Sequence, residues 1–305
     1  MRELAGPERQ CPACGVLETI DPGSVVFPLG WVCGKCGVAV AHRDGIPMFA
    51  PELADSVSGM DPANFQALAD VEMEHFWFVP RNRLIVGLAA KYFPDARRFM
   101  EIGCGNAAVL SAMARSRPWE RLVGAELHPS GLLFARQRLP NEAEFVQMDA
   151  RDIPAKSVFD LTGAFDVIEH IAEDETVLRS LREATQLGGG TIIAVPQHPW
   201  LWSATDELAH HVRRYRRGEL ETKLRRNGFE VLFSTSYTVC LLPFMAISRL
   251  VNRGAGEMDR VNQELMPDKN VNAVLKAALM AEVNLTLKGW RWPAGGSRVV
   301  VARAI

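Results

Sequence analysis

From Arg97 onward, short apolar runs alternate with longer segments whose apolar residues recur at helical spacing, which is the pattern of βαβ units around a parallel sheet. The pattern predicts strands over Phe99 to Ile102, Leu122 to Glu126, Glu144 to Met148, Phe159 to Val167 and Thr191 to Val195. Helices are expected over Ala107 to Arg115, Gly131 to Arg138 and Asp174 to Thr185, with Gly188-Gly189-Gly190 leading into the fifth strand. Farther on, Glu219 to Asn227 has helical spacing with Gly228 as its cap, Phe229 to Tyr237 forms a sixth strand and Ser297 to Ala304 a seventh. Upstream, Leu84 to Tyr92 forms an amphipathic helix preceded by the aromatics Phe76, Trp77 and Phe78.

Acids stand at the ends of three consecutive predicted strands, on the edge where doubly wound sheets bind ligands. Glu101 precedes the glycine turn Gly103-Cys104-Gly105, Glu126 ends the second strand and Asp149 follows the third. Glycine lets backbone amides approach a ligand closely because no side chain intervenes. Glu126, about twenty residues past that turn, is placed to accept from both hydroxyls of a ribose. Asp149 is placed to accept from the exocyclic amine of adenine. One such acid alone reads as a helix cap and one Gly-x-Gly as an ordinary turn; the set implies an adenosine-type cofactor.

Four of the six cysteines form Cys11-Pro-Ala-Cys14 and Cys33-Gly-Lys-Cys36, two pairs separated by 18 residues. This spacing is a strong zinc-ribbon signal, and Gly15 and Gly37 follow each pair where a knuckle turn needs them. Four thiolates fill a tetrahedral shell and leave no open position for water, so the expected Zn2+ is structural. Disulfides or free thiols are the competing reading, disfavoured in a reducing compartment. His42 is a fifth potential ligand, but with four cysteines at hand it reads as a surface side chain. Cys104 and Cys240 read as small core residues. The ribbon is expected to end near Pro51, with Glu52 to Pro62 as a linker. Its close, Asp44-Gly45-Ile46-Pro47 and a short apolar strand, resembles the small zinc-ribbon domain that accompanies or activates several RNA and protein methyltransferases.

The central segments resemble the motifs of class I S-adenosylmethionine-dependent methyltransferases, in their small-molecule, ubiquinone-biosynthesis-like branch (type 11). Glu101-Ile-Gly-Cys-Gly-Asn-Ala matches the first motif, Gly124-Ala-Glu126 the second and Gln147-Met-Asp149-Ala150 the third. Phe165-Asp166-Val-Ile-Glu-His170-Ile matches the fourth. The resemblance covers roughly residues 72 to 305. It implies an α/β fold: a Rossmann-like, seven-stranded, mostly parallel sheet with helices on both faces and an antiparallel last strand, here with a small N-terminal zinc ribbon added. The domains would be 1–55 for the ribbon, 56–96 for a linker and helical lid, and 97–305 for the methyltransferase domain. The resemblance implies S-adenosyl-L-methionine as cofactor, bound by Glu101, Gly103, Cys104, Gly105, Glu126, Leu127, Asp149, Ala150, Phe165, Asp166 and His170. Arg81, by its spacing from His75, would pair with the cofactor carboxylate, which a guanidinium fork suits. The chain departs from the family at Ala107, where many members carry a third glycine. A nicotinamide site is the rival for the glycine turn and tolerates Ala108 at its sixth position, but Glu101 and Asp149 favour the methyl-donor reading.

After the fifth strand, Pro196 to Arg217 lies over the ligand edge and holds three of the seven histidines. Methyl transfer is an in-line displacement in which the protein positions the acceptor and removes its proton where one must leave. Histidine titrates in the range for that base. His198, His210, His211 and Tyr215 are the catalytic candidates, and the competing reading is that they fix the loop. Arg213 to Arg217 is either an anion clamp or a solvated helix start. Val239 to Arg291 is a helical insertion whose apolar face closes over the acceptor, packs on the sheet, joins a second copy or touches a membrane carrying a lipid-linked substrate.

The chain has 305 residues, 48% of them hydrophobic, enough for two domains and a large core. A net charge of −2 and a pI near 6.4 give no global pull toward nucleic acid. The first ten residues, MRELAGPERQ, lack the apolar core of a secretory signal, and the longest apolar run, Val239 to Ile247, is short of the roughly 20 residues of a membrane span. A cytoplasmic methyltransferase acting on a small-molecule or lipid- or sugar-linked acceptor of specialised metabolism, at oxygen, nitrogen or carbon, is the expectation. The alternatives are an rRNA or tRNA methyltransferase and a non-catalytic cofactor-binding partner protein.

Overall fold

The two Cys-x-x-Cys-Gly-Val segments fold as matching turns in the computed structural model, which describes residues 6–55, 72–251 and 267–305. In each turn the glycine N–H donates to the carbonyl of the first cysteine at 2.9 Å, Gly15 to Cys11 and Gly37 to Cys33. The first cysteine in turn donates to the following valine carbonyl, Val16 or Val38, also at 2.9 Å. Gly15 and Gly37 sit at φ of 69° and 75°, the left-handed region that glycine enters without a Cβ clash. Around these turns run β1 (Glu8–Gln10), β2 (Leu17–Thr19), β3 (Ala41–Arg43) and β4 (Ile46–Met48).

The remaining elements follow the predicted alternation: α1 (Phe78–Tyr92), β5 (Arg98–Ile102), α2 (Ala108–Ser116), β6 (Arg121–Glu126), α3 (Pro129–Arg138), β7 (Glu144–Gln147) and the short β8 (Ala155–Lys156). Next come β9 (Phe159–Phe165), α4 (Asp174–Ala184), β10 (Thr185–Pro196), α5 (Ala204–Leu208), α6 (Glu219–Arg226), β11 (Phe229–Tyr237), α7 (Leu242–Val251), α8 (Lys269–Leu287) and β12 (Ser297–Ala304). Among the described residues the large sheet runs β11-β12-β10-β9-β5-β6-β7-β4-β3. Its central strands are parallel, and β12 lies antiparallel between β10 and β11.

Residue alternation sorts the core onto two faces. Phe99, Leu122, Leu161 and Ile192 pack with α1, α2, α3 and α8, while Met100, Val123, Val146 and Ile193 pack with α4, α6 and the ribbon's Trp31 and Phe27. The seven expected strands are all present, but the sheet is wider than expected because the ribbon adds β4 and β3 to its edge. β4 pairs parallel with β7, and β1 pairs antiparallel with β8. An uncovered β7 would expose a row of unpaired N–H and C=O groups, and the ribbon's hairpin removes that edge. Further bonds fasten the joint: the Glu144 carboxylate accepts from Val26 N at 2.9 Å, and the buried Gln147 amide donates to Ala50 O at 2.7 Å and accepts from Ala50 N at 3.1 Å.

The second departure is at Gly188 to Gly190, which lie within β10 and not ahead of it. The register of β10 against β9 shifts between Thr185 and Gly190, so the glycines form an irregular strand entry. A Cβ on Gly190 would fall 1.9 Å from the Phe93 ring, so the close approach of the end of α1 demands glycine there. The expected linker lies partly at residues 56–71 and the insertion partly at 252–266, outside the described residues. Within the insertion, α8 buries Leu279 and Val283 against the core, whereas α7 leaves Phe244 and Ile247 exposed. No helix among the described residues is long and apolar enough to cross a membrane.

Candidate active site

The carboxyl ends of β5, β6, β7 and β9 open into a cleft of about 480 Å3, roofed by the start of α1. It is lined by Arg81, Glu101, Gly103, Cys104, Gly105, Glu126, Leu127, Asp149, Ala150, Phe165, Asp166 and His170, so the structure brings all twelve residues singled out for the cofactor to one cavity. The backbone there is unusual. Gly103 and Gly105 have φ of 65° and 50°, and a Cβ on Gly103 would lie 2.4 Å from Val167 Cγ2. Ala107 and Asp166, which are not glycine, also take left-handed φ of 60° and 57°. Such conformations cost on the order of 1–2 kcal/mol each and persist where the surroundings enforce them, commonly at ligand sites.

Glu126 knits the turn together. Its Oε2 accepts from Gly105 N at 3.1 Å, and its Oε1 accepts from Leu127 N at 2.8 Å and His128 N at 3.2 Å. Asp149 is held by Arg151, whose Nε lies 2.9 Å from Oδ2 and whose backbone N–H donates to Oδ1 at 2.9 Å. Arg81 is buried, with its guanidinium 4.6 Å from the Trp77 ring centroid and Nη2 donating to Phe165 O at 3.1 Å. Arg81 Nη2 also lies 2.7 Å from Asp166 Oδ2, an ion pair whose N–H is not directed along the contact.

Glu101 is 3% exposed and its Oε2 has no hydrogen-bond partner. Burial pushes its carboxyl up to about 8, against the opposing pull of Arg81. It therefore holds a proton at neutral pH until a cation enters the cleft. Because its folded pKa lies above the unfolded value, its contribution to stability is fully present near pH 4 and is lost as pH rises through about 8. Unfolding by urea at pH 6 and pH 9 should show the ligand-free protein losing stability over that range, and Glu101→Gln should flatten the slope. An unchanged slope in the variant would remove Glu101 as its source.

His198, His210, His211 and Tyr215 do not line this cleft. His198 and His210 have left-handed φ of 66° and 53°, and the His198 ring tilts against Trp200. His211 lies closer in: its ring meets that of His170 edge-on at 4.7 Å, and its Nδ1 is 2.8 Å from Asp206 Oδ1. Asp206 is fully buried; burial would raise its pKa, but hydrogen bonds from His211 and Arg214 bring it down to about 2. The buried Glu169 has no hydrogen bond at either carboxylate oxygen, its Oε1 lies 3.9 Å from His211 Nε2, and burial raises its pKa well above the ordinary range. Burial, aided by His211, lowers His170 to about 4. Glu169, His170 and His211 bring one potential ligand atom each within 4.8 Å of one another.

Tyr215 is fully buried and donates to Asp174 Oδ2 at 2.7 Å. Burial raises its hydroxyl far above the range in which it could serve as a base. Tyr215→Phe should cost about 1–2 kcal/mol in urea unfolding by leaving the carboxylate one donor short, with turnover per folded molecule retained. A large fall in turnover at unchanged stability would contradict this. Sequence reasoning included Glu169 in the fourth motif but missed Arg151 and Asp206; the Arg two residues after Asp149, and Ser203 three residues before Asp206 in a capping box, were their available signals.

In the ribbon, Cys11 Sγ lies 3.7 Å from Cys36 Sγ and Cys14 Sγ 3.7 Å from Cys33 Sγ, and all four sulfurs fall within 4.8 Å of one another. None is in a disulfide. A tetrahedral zinc with bonds of about 2.3 Å places its sulfurs roughly 3.8 Å apart, so the donor set and spacing fit that ion.

Residues 100–193 match the family model described as a methyltransferase domain. A segment of 155 residues is 27% identical to trans-aconitate 2-methyltransferase of Acidovorax sp. (strain JS42), covering 50% of this chain and 54% of that protein. The chain thus spans about half the length of the curated relative it matches. Among solved structures, the chain is similar to phosphoethanolamine N-methyltransferase 2 of Haemonchus contortus in complex with phosphomonomethylethanolamine and S-adenosylhomocysteine (TM-score 0.53, 15% identity, 80% of this chain and 57% of that one). It is also similar to a TehB-like methyltransferase of Corynebacterium glutamicum (TM-score 0.50, 17% identity, 80% and 100%). A third likeness is to a chain in the complex between the Haloferax volcanii Trm112 methyltransferase activator and a methyltransferase (TM-score 0.52, 15% identity, 79% and 97%). The methyltransferase-domain match covers residues 100–193, and the fold around it is shared with these solved structures, here joined to a four-cysteine ribbon.

Proposed function

We propose that this chain transfers a methyl group from S-adenosylmethionine to a small-molecule acceptor, with a structural zinc ion in its ribbon. The observation that carries the reading is the convergence of Glu101, Glu126 and Asp149 on one cleft beside the left-handed Gly103-Cys104-Gly105 turn. When bound, S-adenosylmethionine supplies an electrophilic methyl on a sulfonium. Glu126 takes the ribose hydroxyls, Asp149 with Arg151 the adenine end, and Glu101 and Arg81 the ammonium and carboxylate of the methionine end. Arg81 must then exchange its contact with Asp166 for the incoming carboxylate. The near-neutral net charge supports a small acceptor over bulk RNA.

His211 is the proton acceptor in this reading. Asp206 holds its Nδ1 at 2.8 Å, its Nε2 lies 3.9 Å from Glu169 Oε1, and its ring meets edge-on that of His170, which lines the cleft. His211→Asn should lower turnover about 100-fold, with S-adenosylmethionine affinity unchanged. Steady-state rates, with cofactor affinity measured by titration, test this; unaltered turnover returns His211 to a loop-fixing role. Purified protein incubated with labelled S-adenosylmethionine against small-molecule pools and bulk RNA tests the acceptor class, and preferential labelling of RNA would reverse it.

A further inference from the structure

Outside the cleft, a second cavity of about 330 Å3 lies at the far edge of the sheet, between α6, β11 and the segment before β12. Arg217, Arg225, Arg291 and Arg298 line it, against a single carboxylate, Glu221. That carboxylate is paired through one oxygen: Arg298 donates to its Oε1 through Nε at 2.9 Å and through Nη2 at 2.5 Å, while the buried Oε2 has no hydrogen-bond partner. Among the described residues no acid forms an ion pair with Arg217, Arg225 or Arg291, whereas the nearby Arg303 finds Glu230. Arg291 is braced, its guanidinium 5.1 Å from the Phe233 ring centroid, and the half-buried Trp292 forms part of the wall. Like charges gathered in a concavity with low-dielectric walls focus a positive potential. Planar guanidinium forks match phosphate oxygens two at a time.

We propose that this cavity binds a phosphate-bearing small molecule. The floor continues into the protein: Arg298 Nη1 reaches Ser236 Oγ at 3.4 Å, and Ser236 Oγ donates to Gln197 Oε1 at 2.7 Å, next to His198 on the cofactor edge. The site does not depend on the methyl-transfer reading.

Calorimetric titration of the full chain with pyrophosphate, at low salt, tests the assignment. Saturable one-to-one binding is expected, weakened about tenfold or more in Arg217→Ala/Arg225→Ala and unchanged in Arg303→Ala. Both arginines of the double variant are exposed, and an unaltered thermal unfolding curve checks its fold. A parallel titration with uridine diphosphate separates the sources: tighter binding than pyrophosphate assigns an esterified ligand with its ring against Trp292, and equal or weaker binding assigns the free anion. No saturable heat, identical binding in the double variant, or tighter binding of a short RNA than of either anion would overturn the proposal.

Discussion

Serine at Cys11 or Cys33 is expected to unfold the amino-terminal ribbon and, in the same variant, to weaken binding at the cofactor cleft. Both cysteines are buried at 1% exposure and carry the first position of each knuckle turn. A structural zinc ion contributes roughly 10–16 kcal/mol to the folding of such a module, far more than the ribbon's short strands can replace. The effect travels because the ribbon forms part of the sheet. The Gln147 amide that holds Ala50 also donates to Leu127 O at 3.1 Å, one residue past Glu126. Without Ala50, a buried amide loses partners at a cost of about 1–3 kcal/mol, and the strand end that presents Leu127 loosens. Melting temperature should fall on the order of 10 °C, and cofactor affinity about tenfold. Metal content, thermal unfolding and cofactor titration on one preparation check this. A zinc-free variant with unaltered melting and affinity would show the ribbon to be uncoupled from the cleft.

Glu126→Ala should have the largest effect on the cofactor, a loss of affinity of about 100-fold or more. Two ribose hydrogen bonds to a carboxylate are worth about 1.5–3 kcal/mol each. The same carboxylate also satisfies the backbone N–H groups of Gly105, Leu127 and His128, so its removal relaxes the glycine turn as well. Glu126→Gln keeps an acceptor oxygen and should retain part of the affinity. Zinc content of either variant should match that of the unmodified chain, which separates this effect from the first.

The sheet and the acids at its edge were legible because both follow from local pattern. Alternation such as Phe99 and Met100, pointing to opposite cores, marks a strand covered on both faces, and an acid after an apolar run marks its end. The Gly188 to Gly190 strand entry was not legible. Local chemistry treats three glycines as a break, whereas Gly189 is crowded by the backbone oxygen of Asp160 and Gly190 by Phe93, nearly a hundred residues upstream. The ribbon's place in the sheet was hidden for a similar reason: the β4 to β7 pairing joins Met48 to Gln147, a register that no local signal specifies. The histidines fared worst. The loop after β10 contains residues at positive φ, so which ring turns inward depends on closure around Asp206 and not on spacing.

In this account the cleft bounded by Glu101, Glu126 and Asp149 holds S-adenosylmethionine. Calorimetric titration of the purified, zinc-replete chain with S-adenosylmethionine tests it most directly. One site per chain is predicted, lost or greatly weakened in Glu126→Ala and also filled by S-adenosylhomocysteine. No binding of either compound, or equal binding by the Glu126→Ala chain, would contradict it.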